Sequence, residues 1–237
     1  MPDLSSLYLA LDIVAFLLTL GVVGFFAALW RRSGHSLHLL MLAGFLLVAA
    51  GFLGVSASAF NLQGEPDNWH ALRFVGHTAG ALVLVLAYAS AHQHGAARPW
   101  RVAAWTVALM GVILAAIYWI APPLSRLPRL QNAFVVAHAV QAIAYAGCAA
   151  YASSAFRRHP SFDRALVPAA FLSWALSKYT WLLIDLSRAQ DLVAFVYGWR
   201  FIAIGLLLLA LFLPVRHAWE SKRRAPRGPE EGPHGTT

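Results

Sequence analysis

Seven ionisable residues sit where an apolar chain has least use for them. Asp12, Arg73, His77, His138, Lys178, Asp185 and Arg200 each fall inside a long hydrophobic run. An ionisable side chain in a membrane-spanning helix costs at least about 2.5–3.5 kcal/mol and turns toward the bundle interior or a water-filled cavity. Each is therefore a candidate functional residue. Spacing gives them company. His70, Arg73 and His77 follow an i, i+3, i+7 pattern, which puts them on one helical face. His138, Gln141, Tyr145 and Cys148 do the same, as do Trp174, Ser177/Lys178, Trp181 and Asp185, and Tyr197 with Arg200. These stripes predict one polar pocket. Asp12, His70, Gln141, Trp174, Trp181, Asp185 and Tyr197 would line it, and Arg73, Lys178 and Arg200 would supply its cations.

Two acids against three permanent cations allow two ion pairs and leave one cation over. A buried unpaired cation is expensive. Either Lys178 is neutral, or water reaches it, or an anionic group sits beside it.

Four chemistries suit such a set. His77 and His138 lie at matched depth, and two imidazoles on facing helices are the axial metal ligands of a b-type haem. Haem propionates would then meet Arg73, Lys178 or Arg200, and Gly76 and Gly80 would let a flat ring approach the backbone. The second chemistry is a receptor-like sensor for an anionic or lipophilic ligand, signalling through a membrane or cytoplasmic partner protein. The third is transport of an anion or a proton. The fourth is an intramembrane zinc enzyme. That one has no His-Glu-x-x-His, Gly-x-Ser-x-Gly or Cys-x-x-Cys motif behind it, and a net-positive pocket repels a divalent cation. No catalytic residue is assigned. Haem-linked electron transfer is preferred, with sensing and transport as alternatives.

The elements that must position these residues follow from composition. Of 237 residues, 59% are hydrophobic and 12% charged, against about 45–50% and about 25% in a soluble domain. Such a chain is a multi-pass membrane protein whose first partner is the lipid bilayer. Seven apolar runs, near 7–30, 37–60, 69–91, 100–121, 131–155, 164–186 and 192–215, each approach the roughly 20 residues of a spanning helix. The predicted fold is all-α, a seven-transmembrane-helix bundle over residues 1–215. A basic, Pro/Gly-rich tail over 216–237 should be disordered. Twelve of the eighteen basic residues fall in alternate loops and the tail. The positive-inside rule then puts the N-terminus outside and the C-terminus in the cytoplasm of a cell-membrane protein. The net charge of +8 is mostly this topology signal. It forms no nucleic-acid-binding face. The pocket residues all fall in the outer half of the bundle on this reading.

In helix number and orientation the chain resembles the microbial rhodopsins. Trp174 and Trp181 are similar to the paired tryptophans that sandwich retinal in that family. The resemblance covers two short stretches. Arg200 stands where the family carries its Schiff-base lysine, and Phe-Val-Gly-His follows Arg73 where the family has a carboxylate.

Two smaller features complete the inventory. His35, His38, His92 and His94 form a second histidine group on the predicted cytoplasmic side, expected to be interfacial. Cys148 is the single cysteine, which excludes an internal disulfide and an all-thiolate metal cage.

Overall fold

The computed structural model describes residues 4–59, 66–92, 127–158 and 160–224, with side chains described over 6–54, 73–91, 134–158 and 160–216. Six α-helices account for nearly all of them: α1 Leu4–Ser33, α2 Ser36–Ala59, α3 Pro66–His92, α4 Leu127–Arg158, α5 Phe162–Ser187 and α6 Val193–Arg224. A 3-10 turn, Gln190–Leu192, leads into α6. At 1.5 Å per residue, even the shortest α-helix is about 36 Å long.

Five stretches combine the length and the apolarity needed to cross a bilayer: Ser6–Ser33, Ser36–Gly54, Arg73–Ala91, Phe134–Arg158 and Gln190–Arg216. The chain is therefore a multi-span, mostly helical membrane protein. The expected seven-helix bundle is corrected to an all-α fold of six helices with five candidate spans among the described residues. Two causes account for the difference. The expected run 100–121 lies outside the described residues. The run 164–186 does form α5, but Ser173, Ser177, Lys178, Thr180 and Asp185 dilute its apolarity below that of a span. At the other boundary, α6 continues to Arg224, past the expected end near 215.

Local chemistry sets the helix ends. Gly34 adopts a left-handed conformation, φ 64°, and its N–H donates to the Trp30 carbonyl at 2.7 Å, which closes α1. Arg188, at φ 58°, closes α5 in the same way on Ile184. Pro66 opens α3, where its missing N–H costs nothing.

The described helices pack in chain order and close into a ring, α6 returning to α1. The tightest seam is α2 on α3. A Cβ at Gly76 would lie 2.7 Å from the Gly51 nitrogen and the Leu47 carbonyl oxygen. A Cβ at Gly80 would lie 2.7 Å from the Gly44 carbonyl. These glycines are needed because backbone meets backbone. The seam of α3 with α4 runs in parallel register: Phe74 meets Phe134, Thr78 meets Gln141, and Val85 faces Gly147.

The two ends of the ring differ. Arg31, Arg32, Arg157, Arg158, Arg164 and Arg216 gather toward one end, where α1 and α4 finish and α5 begins. The pocket residues gather toward the other. Between them lies an apolar core of Phe45, Phe171, Leu84, Ile204 and Val22. Outward-facing side chains such as Ile143, Phe162, Phe195 and Phe212 are exposed and apolar, as a lipid-facing surface requires.

Candidate functional site

The site consists of two carboxylate-anchored clusters, with Lys178 apart from both. The first joins α1, α2 and α6. Asp12 accepts hydrogen bonds from Arg200 Nη1 and from the Tyr197 hydroxyl, the latter at 3.0 Å. Tyr197 and Arg200 are three residues apart, so one carboxylate receives both. The Arg200 guanidinium lies 4.9 Å from the Phe52 ring centre and 4.7 Å from that of Tyr197. Tyr197 also stacks on Tyr8, with centroids 5.2 Å apart. Asp12 and Arg200 are 4% and 3% exposed, so this ion pair is fully buried. A buried pair contributes little net stability, but removing one partner costs about 3–5 kcal/mol.

The second cluster joins α3, α4 and α5. His138 Nδ1 lies 2.6 Å from Asp185 Oδ2. An ionised carboxylate only accepts, so Nδ1 carries the proton and Nε2 is left as the other functional nitrogen. The imidazole stacks on Trp181 at 5.9 Å and 13°. The Arg73 guanidinium lies over the same indole, 5.4 Å from its centre. Phe74 packs against His138 at 6.1 Å.

Lys178 is 3% exposed. Among the described residues it makes no ion pair and no hydrogen bond. It lies within electrostatic range of Arg200 and Arg73, whose charges repel it, and of Asp12, which is already shared between Arg200 and Tyr197. Its neighbour Ser177 donates to the Val196 carbonyl at 3.0 Å and ties α5 to α6.

Several buried polar atoms have no partner among the described residues: His77 Nδ1, Gln141 Oε1, Tyr145 Oη, Trp174 Nε1, Trp181 Nε1 and Arg200 Nε. Three of them, Trp174 Nε1, Trp181 Nε1 and Arg200 Nε, can only donate. Leaving a buried donor unmade costs about 1–3 kcal/mol each. Among the described residues the site therefore offers unmade donors as well as more cations than carboxylates.

The sequence-based site is thus partly assembled. Asp12, Tyr197 and Arg200 meet directly, as do Arg73, His138, Trp181 and Asp185. Gln141 bonds Thr78 at 2.8 Å and bridges α4 to α3. Trp174 lies elsewhere, in a core stack with Tyr145 at 5.2 Å and Phe45 at 5.9 Å. The side chain of His70 falls outside the described residues. Phe52, Phe74, Thr78 and Tyr8 complete the site and carried no charge to mark them. Their only sequence signal is helical phase, as in Phe45 and Phe52 seven apart on the buried face of α2.

The expected leftover of one cation becomes two. Asp185 takes a histidine, so both Arg73 and Lys178 lack a carboxylate within ion-pair reach among the described residues. The expected role of Gly76 and Gly80 also changes. They make room for the α2 backbone, which fills the space a flat ring would use. His77 meets Phe52 edge-on at 4.6 Å, on the α2 side. Phe74 touches both Phe134 and His138, and Thr78 bonds Gln141, so α3 and α4 are in direct side-chain contact alongside His138. Among the described residues the packing around His77 and His138 carries no feature specific to a haem. Among the described residues no group of three or more His, Cys, Asp or Glu could hold a metal ion.

The second histidine group is a turn. The Ser33 hydroxyl meets His38 Nδ1 at 2.7 Å, and His35 Nδ1 accepts from the Leu37 N–H at 3.2 Å, capping α2. The side chain of His92 and all of His94 fall outside the described residues. No family model matches the chain, and no curated protein is similar enough to count as a relative. Function therefore rests on the geometry.

Proposed function

We propose that this protein is a receptor-type binding protein of the cell membrane whose ligand carries an anionic group, a carboxylate or a phosphate. The group is seated among Lys178, Arg73 and the unpartnered donors Trp181 Nε1 and Arg200 Nε. One observation carries the reading: both acids of the site are committed, Asp12 to Arg200 and Asp185 to His138, while among the described residues Lys178 and Arg73 have no carboxylate within ion-pair reach. An anion supplies what the fold omits, charge and hydrogen-bond acceptors together. Trp181 and Phe74 give a lipophilic remainder its wall. On this reading a signal passes to a membrane or cytoplasmic partner protein.

Transport is the weaker reading. A conduction path needs polar groups through the whole thickness. The deeper layer here is Phe45, Trp174, Tyr145 and Phe171, packed ring on ring.

The test is a thermal-shift panel on the purified chain in neutral detergent, with short- and long-chain carboxylates, phosphate monoesters and their uncharged analogues. At least one anion should raise the melting temperature of the wild type, and its uncharged analogue should not. Arg73→Gln and Lys178→Met should each cut that shift by half or more. Equal shifts from charged and uncharged analogues, or full shifts in both variants, would overturn the proposal.

A further inference from the structure

A second feature lies at the opposite end of the bundle, remote from Lys178. A groove of about 410 Å³ opens there among α2, α3, α4 and α5. Its floor is apolar and largely alanine: Ala91, Ala152 and Ala155, with Phe156 and Val167 as walls. Larger side chains at those positions would fill it. Arg158 from α4 and Arg164 from α5 line the same groove, on either side of the short turn joining the two helices. Both arginines are exposed. The volume lies within the ordinary range of small-ligand sites, about 300–1,000 Å³.

An apolar slot with two guanidiniums on one membrane-facing end is complementary to an amphiphile whose charge is negative and adjacent to its chain. Arginine is suited to phosphate because its planar fork meets two oxygens at once. We infer that this groove binds one anionic phospholipid, its phosphate on Arg158 and Arg164 and the upper part of one acyl chain along Ala152 and Ala155. The bilayer in which the helices sit supplies that ligand. The binding requires only that phosphate oxygens join whatever contacts the two arginines already make. It is independent of the anion proposed beside Lys178.

The experiment is native mass spectrometry of the full chain released from mild detergent with phosphatidylglycerol or phosphatidylcholine. The wild type should retain one phosphatidylglycerol in preference to phosphatidylcholine. Arg158→Gln/Arg164→Gln should lower that retention roughly fivefold per arginine, the equivalent of about 1 kcal/mol each. Ala155→Leu, which fills the floor and keeps both charges, should lower it as well. Arg31→Gln/Arg32→Gln changes the same end of the bundle outside the groove and should leave retention unchanged. Equal retention of the two lipids overturns the inference. So does an equal loss in the Arg31/Arg32 pair, which would mean diffuse interfacial charge, or full retention in Ala155→Leu, which would put the lipid or an acidic protein partner elsewhere. If the Arg158/Arg164 variant does not fold, Ala155→Leu against the Arg31/Arg32 control decides alone.

Discussion

The two ends of this bundle carry positive charge for different reasons. At the basic end, Arg31, Arg32, Arg157, Arg158 and Arg164 stand at helix termini, where water, lipid phosphate and helix C-terminal carbonyls all receive them. At the polar end, Lys178 and Arg200 are buried and Arg73 is partly buried, all within helices and away from helix termini. There each cation takes what the fold supplies. Arg200 has a carboxylate and two ring faces, Arg73 has an indole face, and Lys178 has neither among the described residues. The lesson is that equal formal charges have unequal costs, and only the expensive ones carry functional information.

That contrast can be broken by mutation, and the largest effect belongs to the fully buried pair. Asp12→Asn leaves the Arg200 guanidinium without its counter-charge and should cost about 3–5 kcal/mol. A chemical or thermal melt of the detergent-solubilised protein reads this as a large loss of stability. Asp12→Leu/Arg200→Met removes both charges and should recover most of the loss. An Asp12→Asn protein as stable as the wild type would place the pair in water.

Second comes the α2–α3 seam. Gly76→Val forces a side chain against the Gly51 backbone and should destabilise by about 1–3 kcal/mol. A neutral outcome would show that the helices stand further apart, and would reopen the space for a flat ring. A related check is spectroscopic. On the anion-receptor reading, protein produced with ample haem should show no Soret band, and a band lost in both His77→Ala and His138→Ala would favour the haem expectation instead.

A moderate effect is expected at the histidine–carboxylate pair. Asp185→Asn keeps the shape but removes the carboxylate charge that accepts from His138 Nδ1, and should cost about 1–3 kcal/mol. It also deletes one of the site's two negatives, so the anion-induced stabilisation at Lys178 should grow. The smallest effect belongs to the basic end. Arg31→Gln or Arg32→Gln should change stability by no more than about 0.5 kcal/mol. A loss near that of Asp12→Asn would erase the distinction between the ends.

Much of this arrangement was readable in the residues, because a charge in an apolar run is conspicuous. Asp12, Arg73, His138, Asp185, Tyr197 and Arg200 were found by type and helical phase, and they fall into two clusters, Asp12 with Tyr197 and Arg200, and His138 with Asp185 and, through Trp181, Arg73. What stayed hidden depends on which atoms face each other across helices. Asp185 had three permanent cations and two histidines as candidates and meets His138, since α4 and α5 are neighbours and Nδ1 lies within 2.6 Å. His77 and His138 share a depth, yet matched depth does not make two rings face a common centre. Glycine is ambiguous in the same way. Gly76 and Gly80 mark close approach, but the sequence alone does not say whether a cofactor or another helix approaches. Helix counting failed for a related reason. The α5 stripe that carries Lys178 and Asp185 is what lowers its hydropathy, so the helix richest in site residues is the one least like a span.

We propose that Lys178 is the group that meets the anionic part of a ligand. The most direct test is a thermal melt of Lys178→Met beside the wild type, first without and then with the best stabilising anion of the panel. Without it, Lys178→Met should equal or exceed the wild type in stability, because an uncompensated charge has been removed. With it, the wild type should gain and the variant should gain little, so that the order reverses. A variant that is less stable without the anion and rises in parallel with the wild type when it is added would contradict the account.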